Sequence, residues 1–171
     1  MVAIDDPIAF ELFKNSIFSI ADEMALTICR TTYSGVLRDN MDFSTAFANK
    51  DGKLVAQGLT LPAHLGSIPT ALDVVVERFG PEMQPEDMYI MNDPFDGGMH
   101  LPDIFIFKPI FWKGERVAFA ATICHHADVG GRVPGSNASD STEIFQEGLR
   151  IPPMKLFDQG VLNKTLWMLI E

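Results

Sequence analysis

Two β-forming runs, Asp103 to Phe111 and Arg116 to Cys124, stand only four residues apart, separated by Trp112-Lys113-Gly114-Glu115. Strands this close in sequence pair antiparallel, because a parallel neighbour requires a crossover of a dozen or more residues. A long hairpin is therefore the framework on which the rest of the chain must pack. With Lys113 and Gly114 as the central turn residues, Asp103 lies opposite Cys124. A one-residue bulge, which Gly114 would permit, places Asp103 opposite His125 instead. Cross-strand neighbours sit ~5 Å apart, so either register gathers His100, Asp103, His125, His126 and Asp128 at the same end of the hairpin.

The flanking sequence supplies the remaining elements. Asp6-Pro7 reads as an N-cap followed by proline at the first helical position. Phe13, Ile17, Ile20, Met24 and Ile28 then recur at helical spacing, predicting a long amphipathic helix to about Thr32. Phe43 to Ala48 and Lys53 to Gln57 flank Asn49-Lys50-Asp51-Gly52, a turn composition suited to a hairpin. Ser67 is expected to cap a second helix whose apolar face is Ala71, Leu72, Val75 and Phe79, with Gly80-Pro81 as its stop. A short strand, Met88 to Met91, precedes the long hairpin, and the chain turns loop-like after Gly130. The expected class is α+β: mainly antiparallel strands and hairpins, a long N-terminal helix and a second packing helix. With 171 residues and 13 Phe, the chain can bury one sizeable core, so residues 1–171 are read as a single domain. Leu162 to Glu171 looks helical and stops without a C-cap signal, as expected of the N-terminal part of a longer chain.

Charge and apolar patterning exclude several classes of function. The net charge is −10, with only 13 Lys plus Arg spread thinly, so no basic stripe is available for nucleic acid or an anionic membrane. No apolar run approaches the ~20 residues of a membrane span, and the start Met1-Val2-Ala3-Ile4-Asp5-Asp6 is unlike a signal peptide, so a cytoplasmic location is expected. The two cysteines, Cys29 and Cys124, have no CxxC spacing and are expected to be buried, inert thiols.

Three of the four histidines thus converge with two aspartates. Imidazole and carboxylate together suit a borderline to hard divalent ion such as Mn²⁺, Fe²⁺ or Zn²⁺. The lack of thiolates nearby, apart from Cys124, argues against a structural zinc site. The other reading of the same residues is that they cap and satisfy an irregular, glycine-rich loop. His125 and His126 are adjacent, so in extended backbone they point to opposite faces and cannot both bind one ion. One of them is expected to orient a ligand or to face substrate. Gly97-Gly98 and Gly130-Gly131 would let backbone approach a bound ion or substrate closely. None of these glycines sits in a strand-to-helix phosphate loop, which speaks against ATP binding by this chain.

The segment Asn92-Asp93-Pro94-Phe95-Asp96-Gly97-Gly98-Met99-His100-Leu101-Pro102-Asp103 resembles the NDPYxGGTHLPD segment of the hydantoinase B/5-oxoprolinase family, and His125-His126-Ala127-Asp128-Val129-Gly130-Gly131 resembles its HHADVGG segment. Asp42-Phe43-Ser44, Ala63-His64-Leu65-Gly66-Ser67 and Glu147-Gly148-Leu149-Arg150-Ile151-Pro152-Pro153 fit further family segments in the same order. The resemblance implies a divalent metal (Mn, Zn or Fe) held by His100, Asp103, His125 and an acidic residue upstream of Asp42-Phe43-Ser44, by position Asp39. The family more often has glutamate there, one methylene longer.

Members of the family hydrolyse cyclic amides such as 5-oxoproline or hydantoins at the expense of ATP, and carboxylase relatives act on ketones. The resemblance further implies that an A-type partner subunit uses the ATP and activates the substrate, while the metal-bearing B-type chain acts on the intermediate in an oligomer. His126 and Asp128 are then candidates to orient a ligand or transfer protons, and His64 to reach the same pocket or merely to close a loop. Glu143, Glu147 and Arg150 read as charges pairing on a short helical turn. Because family members run several hundred residues, the rival reading is a non-catalytic metal- or partner-binding module.

Overall fold

The structure is a computed structural model that describes residues 6–136 and 138–171. Asp6 caps α1 (Pro7–Thr31), its carboxylate accepting the Ile8 N–H at 2.9 Å. A short helix, α2 (Gly35–Arg38), leads into β1 (Phe43–Asn49) and β2 (Leu54–Gln57). A 3-10 turn, Pro62–Gly66, opens directly into α3 (Ser67–Phe79). The strands β3 (Met88–Met91), β4 (Asp103–Trp112) and β5 (Glu115–His125) follow, and β6 (Met154–Asp158), β7 (Val161–Leu162) and α4 (Lys164–Ile170) close the chain. All seven strands form one antiparallel sheet in the order β2-β1-β5-β4-β3-β6-β7, so the long hairpin of β4 and β5 lies at its centre.

Alternation along the strands sorts side chains to two faces. Phe105 and Phe107 of β4, Phe119, Ala121 and Ile123 of β5, and Tyr89 and Met91 of β3 pack with Ile68, Ala71, Leu72 and Val75 of α3. On the opposite face, Ile104 and Ile90 join Ile151, Leu156 and Leu166 under α4, while Phe43 meets Ala25 and Leu37 under α1. Among the described residues, no helix is long and apolar enough to cross a membrane.

Several local expectations change. The bulge in the long hairpin is not at Gly114. Lys113 (φ 51°) and Gly114 (φ 84°) form the two-residue turn, Trp112 pairs with Glu115 and Phe111 with Arg116, and the register then slips so that Ile110 pairs with Ala118. Val117 is the extra residue, and beyond it the shifted register sets Asp103 opposite His125. Ser67 does not cap α3: Gly66 takes that position without a side-chain bond, and the Ser67 hydroxyl donates to the His64 carbonyl at 2.7 Å.

The buried side of α1 is Ile17, Ala21 and Ala25, whereas Phe13 and Ile20 are exposed. The two alanines let the helix backbone come close enough for Thr45 Oγ1 to donate to the Ala21 carbonyl at 2.9 Å. A larger pair of side chains at those positions would hold the helix off the sheet. Both cysteines are half-buried rather than buried, and burial, helped by the charge of Asp103, pushes the Cys124 thiol up to about 11, where it stays unreactive. The edge hairpin β6–β7 has no strong strand pattern, because its strands are short and carry Lys155 and Asp158, as sheet edges often do.

Candidate metal centre

β4 begins at Asp103 and β5 ends at His125, and their pairing in the shifted register brings the two side chains together on the α3 face of the sheet. Asp103 is 1% exposed and is held from both sides: His125 Nδ1 lies 2.9 Å from Oδ1, and His100 Nε2 lies 3.2 Å from Oδ2. The two imidazoles are stacked, with ring centroids 5.1 Å apart. One donor atom from each of His100, Asp103 and His125 lies within 4.8 Å of the others, a spacing that a single cation can bridge. Burial works to raise the Asp103 carboxyl, yet the hydrogen bonds of His100 and His125 hold it below the ordinary carboxylate range. His100 moves the opposite way: its bond to Asp103 raises it, against a lowering by burial. The centre is therefore a buried, ionised carboxylate with two imidazole nitrogens converging on it, a donor set that fits a divalent ion.

His100 is brought to this point by the loop after β3. Asn92 is fully buried; its Nδ2 donates to the carbonyls of Leu101 (2.7 Å) and Leu149 (2.8 Å), and its Oδ1 accepts the Ile151 N–H at 2.6 Å. Asp93 accepts from Phe95 N at 3.0 Å and from Arg150 Nε at 2.6 Å. Two distant segments, 92–103 and 149–151, are thereby clamped together. The glycines of this loop are required by the same packing. A Cβ at Gly98 would lie 2.7 Å from the Asn92 carbonyl oxygen and 2.8 Å from that of Asp93, and one at Gly97 would meet α3 at Ala71 N, 2.9 Å away. Gly131 is likewise pressed against Glu147, where a Cβ would come 2.6 Å from its carbonyl oxygen.

The structure separates the remaining candidates. His64, buried in the 3-10 turn, has Nε2 at 3.8 Å from Asp103 Oδ2 and 3.4 Å from Asp42 Oδ1, while its Nδ1 is 3.2 Å from Ser44 Oγ. Asp42 flanks His125 across β1 and β5, its carbonyl accepting the His125 N–H at 3.0 Å. Asp39, by contrast, is exposed at the end of α2 and ion-paired to Arg38 at 2.9 Å; it is not brought into the cluster. Asp42 occupies the neighbourhood that the sequence reading gave to Asp39. Its position next to the sheet, one residue before Phe43, is the signal that could have found it, since β1 pairs with β5.

His126 and Asp128 do not join the cluster of His100, Asp103 and His125. The His126 N–H donates to the Pro102 carbonyl at 2.8 Å, and its ring turns to the other face, into a cavity of about 390 Å³ lined also by Asp128, Ile104, Ile151 and Ile170. Crowding by protein atoms, then the charge of His125, lower its affinity for a proton. Asp128 Oδ1 accepts the Gly130 N–H at 2.8 Å and shapes the turn. Arg150 pairs with Asp93 rather than with a glutamate, and Glu143 caps the turn Ile144–Gln146.

The hydantoinase B/oxoprolinase family model matches residues 6–171. The chain belongs to the hydantoinase B/oxoprolinase family. Protein MJ0963 of Methanocaldococcus jannaschii is 42% identical over 168 residues, covering 96% of this chain and 30% of that protein. A 5-oxoprolinase of Dictyostelium discoideum is 39% identical over 155 residues, covering 91% of this chain and 12% of that enzyme. The crystal structure of the ATP-dependent caprolactamase from Pseudomonas jessenii superposes with a TM-score of 0.86 at 32% identity, over 98% of this chain and 29% of that one. This antiparallel α+β fold is thus the family's, and the chain spans less than a third of these relatives.

Proposed function

We propose that this chain carries the metal centre of a B-type subunit in an ATP-dependent cyclic amide hydrolase, with His100, Asp103 and His125 as ligands. The observation that supports the reading is the ionised, buried Asp103 gripped by two histidines on a framework shared with an ATP-dependent caprolactamase. Asp42 is the better fourth candidate than Asp39, because only Asp42 borders the cluster, through His64 and His125. A divalent cation bound there would polarise a carbonyl or imidate oxygen and lower the pKa of bound water. Asp103 would share the cation with the imidazole nitrogens of His100 and His125 that face its two oxygens. His64, closed off from solvent and fixed by Ser44, would hold Asp42 and Asp103 in place rather than touch substrate. ATP use belongs in this scheme to an A-type partner, since no glycine-rich phosphate loop is present in this sequence.

Metal analysis of the purified chain, followed by turnover assays with an A-type partner and ATP, tests the proposal. Stoichiometric Mn, Zn or Fe that is lost in His100→Ala and Asp103→Asn is the expected result. A metal-free protein whose His100→Ala variant matches wild type would sink it, and would favour a non-catalytic partner-binding module.

A further inference from the structure

Leu149 and Ile151 line the cavity that His126 enters, and Arg150 between them turns the other way, to Asp93. Asp93 is fully buried and accepts from Arg150 Nε at 2.6 Å, while the guanidinium lies over the Phe95 ring, 5.5 Å from its centroid. A carboxylate at one edge and an aromatic face against the plane fix the orientation of the group. Its fork is only partly used. A guanidinium offers five donors, and among the described residues the terminal Nη1 and Nη2 of Arg150 have no hydrogen-bond partner. The Phe95 ring is itself 75% exposed, so the pair stands open to a ligand rather than packed under the chain. Buried Asp93 requires a cation, but it does not require a fork left open at its outer end.

The pair borders the centre described above. Asp93 immediately precedes Pro94, which with Met99, His100, Glu143 and Glu147 lines a cleft of about 340 Å³. The two glutamates repel an anion in this cleft, so a fixed cation is needed to retain one. Other arginines on this side of the fold are committed. Arg78 donates to the Pro153 carbonyl at 3.3 Å and faces Asp96 at 3.7 Å, and Arg132 is held by Asp140 and Ser141. Of these three arginines, Arg150 is the one with both terminal amino groups unspent among the described residues.

We infer that Arg150 is an oxyanion receptor, its open fork taking the phosphoryl group of an activated substrate held beside His100, Asp103 and His125. Two parallel N–H donors match two oxygens of a phosphoryl group. The inference rests on the reading that this chain receives an ATP-activated cyclic amide, and it supplies a residue for the anionic part of that intermediate.

The test titrates inorganic phosphate into the isotopically labelled chain, metal-free and then loaded with manganese. In the metal-free chain, phosphate should shift the Arg150 guanidinium resonances. Arg150→Lys should weaken its binding by about tenfold or more, because an ammonium is a single point charge already engaged by Asp93. In the manganese-loaded chain the metal should relax the ³¹P signal of bound phosphate, and the same variant should reduce that relaxation. A thermal melt checks that Arg150→Lys is folded; if it is not, Asp93→Asn combined with Arg150→Gln removes the buried charge with its partner and takes its place. Phosphate affinity within about twofold of wild type in the folded variant overturns the proposal. Phosphate that shifts the guanidinium but is not relaxed by bound manganese overturns it too. A response to 5-oxoproline but not to phosphate overturns the phosphoryl assignment in favour of a carboxylate. A chain that takes up no manganese yet binds phosphate through Arg150 supports the receptor and sinks the metal-centre reading alone.

Discussion

Replacing Asn92 with alanine should cost about 3 kcal/mol, through loss of three bonds the buried side chain makes to two separate stretches of backbone. The Asn92 side chain donates to Leu101 O and Leu149 O and accepts from Ile151 N, at 2.7, 2.8 and 2.6 Å. Each such bond contributes ~0.5–1.5 kcal/mol net, so three of them sum to roughly 1.5–4.5 kcal/mol. For a chain of this size that corresponds to a Tm lowered by roughly 6–12 °C. Leu101 lies between His100 and Asp103, so the same variant should weaken zinc binding by about tenfold or more, as loss of a group that positions ligands typically does.

Urea unfolding of the metal-free chain, with an unchanged m-value, isolates the stability effect, and a zinc competition titration measures the second. Asn92→Asp is the sharper control. It keeps an acceptor for Ile151 N but turns the amide donor into an oxygen facing two carbonyls, and should be no more stable than Asn92→Ala. A loss below about 0.5 kcal/mol for Asn92→Ala, the scale of an ordinary surface change, would refute the clamp.

Gly98→Ala should destabilise by about 1–3 kcal/mol and impair metal binding, because its Cβ would fall 2.7 Å from the Asn92 carbonyl oxygen; unchanged thermal unfolding would count against this account. Asp39→Asn should leave zinc affinity within about twofold of wild type, whereas Asp42→Asn should lower it by about tenfold or more; equal effects in calorimetric titration would return Asp39 to the ligand set. Asp87 is fully buried, and although burial opposes its ionisation, bonds from Gln159 N, Gln84 N, Lys155 and Tyr89 hold its carboxyl below the ordinary range. A lowered carboxyl contributes stability that is present above its unfolded pKa of about 3.9 and is lost as pH falls through the folded value. Wild type should thus lose stability faster than Asp87→Asn below about pH 4, read by acid unfolding followed by circular dichroism; parallel curves contradict the assignment.

Much of this architecture can be read from local pattern. Asp6-Pro7 marks the start of α1, and the two dense β-forming runs around Lys113-Gly114 impose the central hairpin, because strands joined by so short a turn pair antiparallel. The convergence of His100, Asp103 and His125 follows from that pairing and from the resemblance of two motifs.

Other features depend on contacts between segments far apart in sequence, which no local pattern encodes. The slip at Val117 sets the register, and it lies inside β5 rather than at Gly114, where glycine makes a bulge easy. The choice of Asp42 over Asp39 is made by β1 lying beside β5, which faces one aspartate to His64 and leaves the other in solvent with Arg38. The alternation of β5 continues past its end and sends His126 to the opposite face from His125, out of the cluster to which sequence proximity assigned it. Sequence fixes which donors are near one another along the strands, because pairing is local to the hairpin. Only the packing of β1, the 3-10 turn and the 92–103 loop against it decides which of those donors share one buried centre.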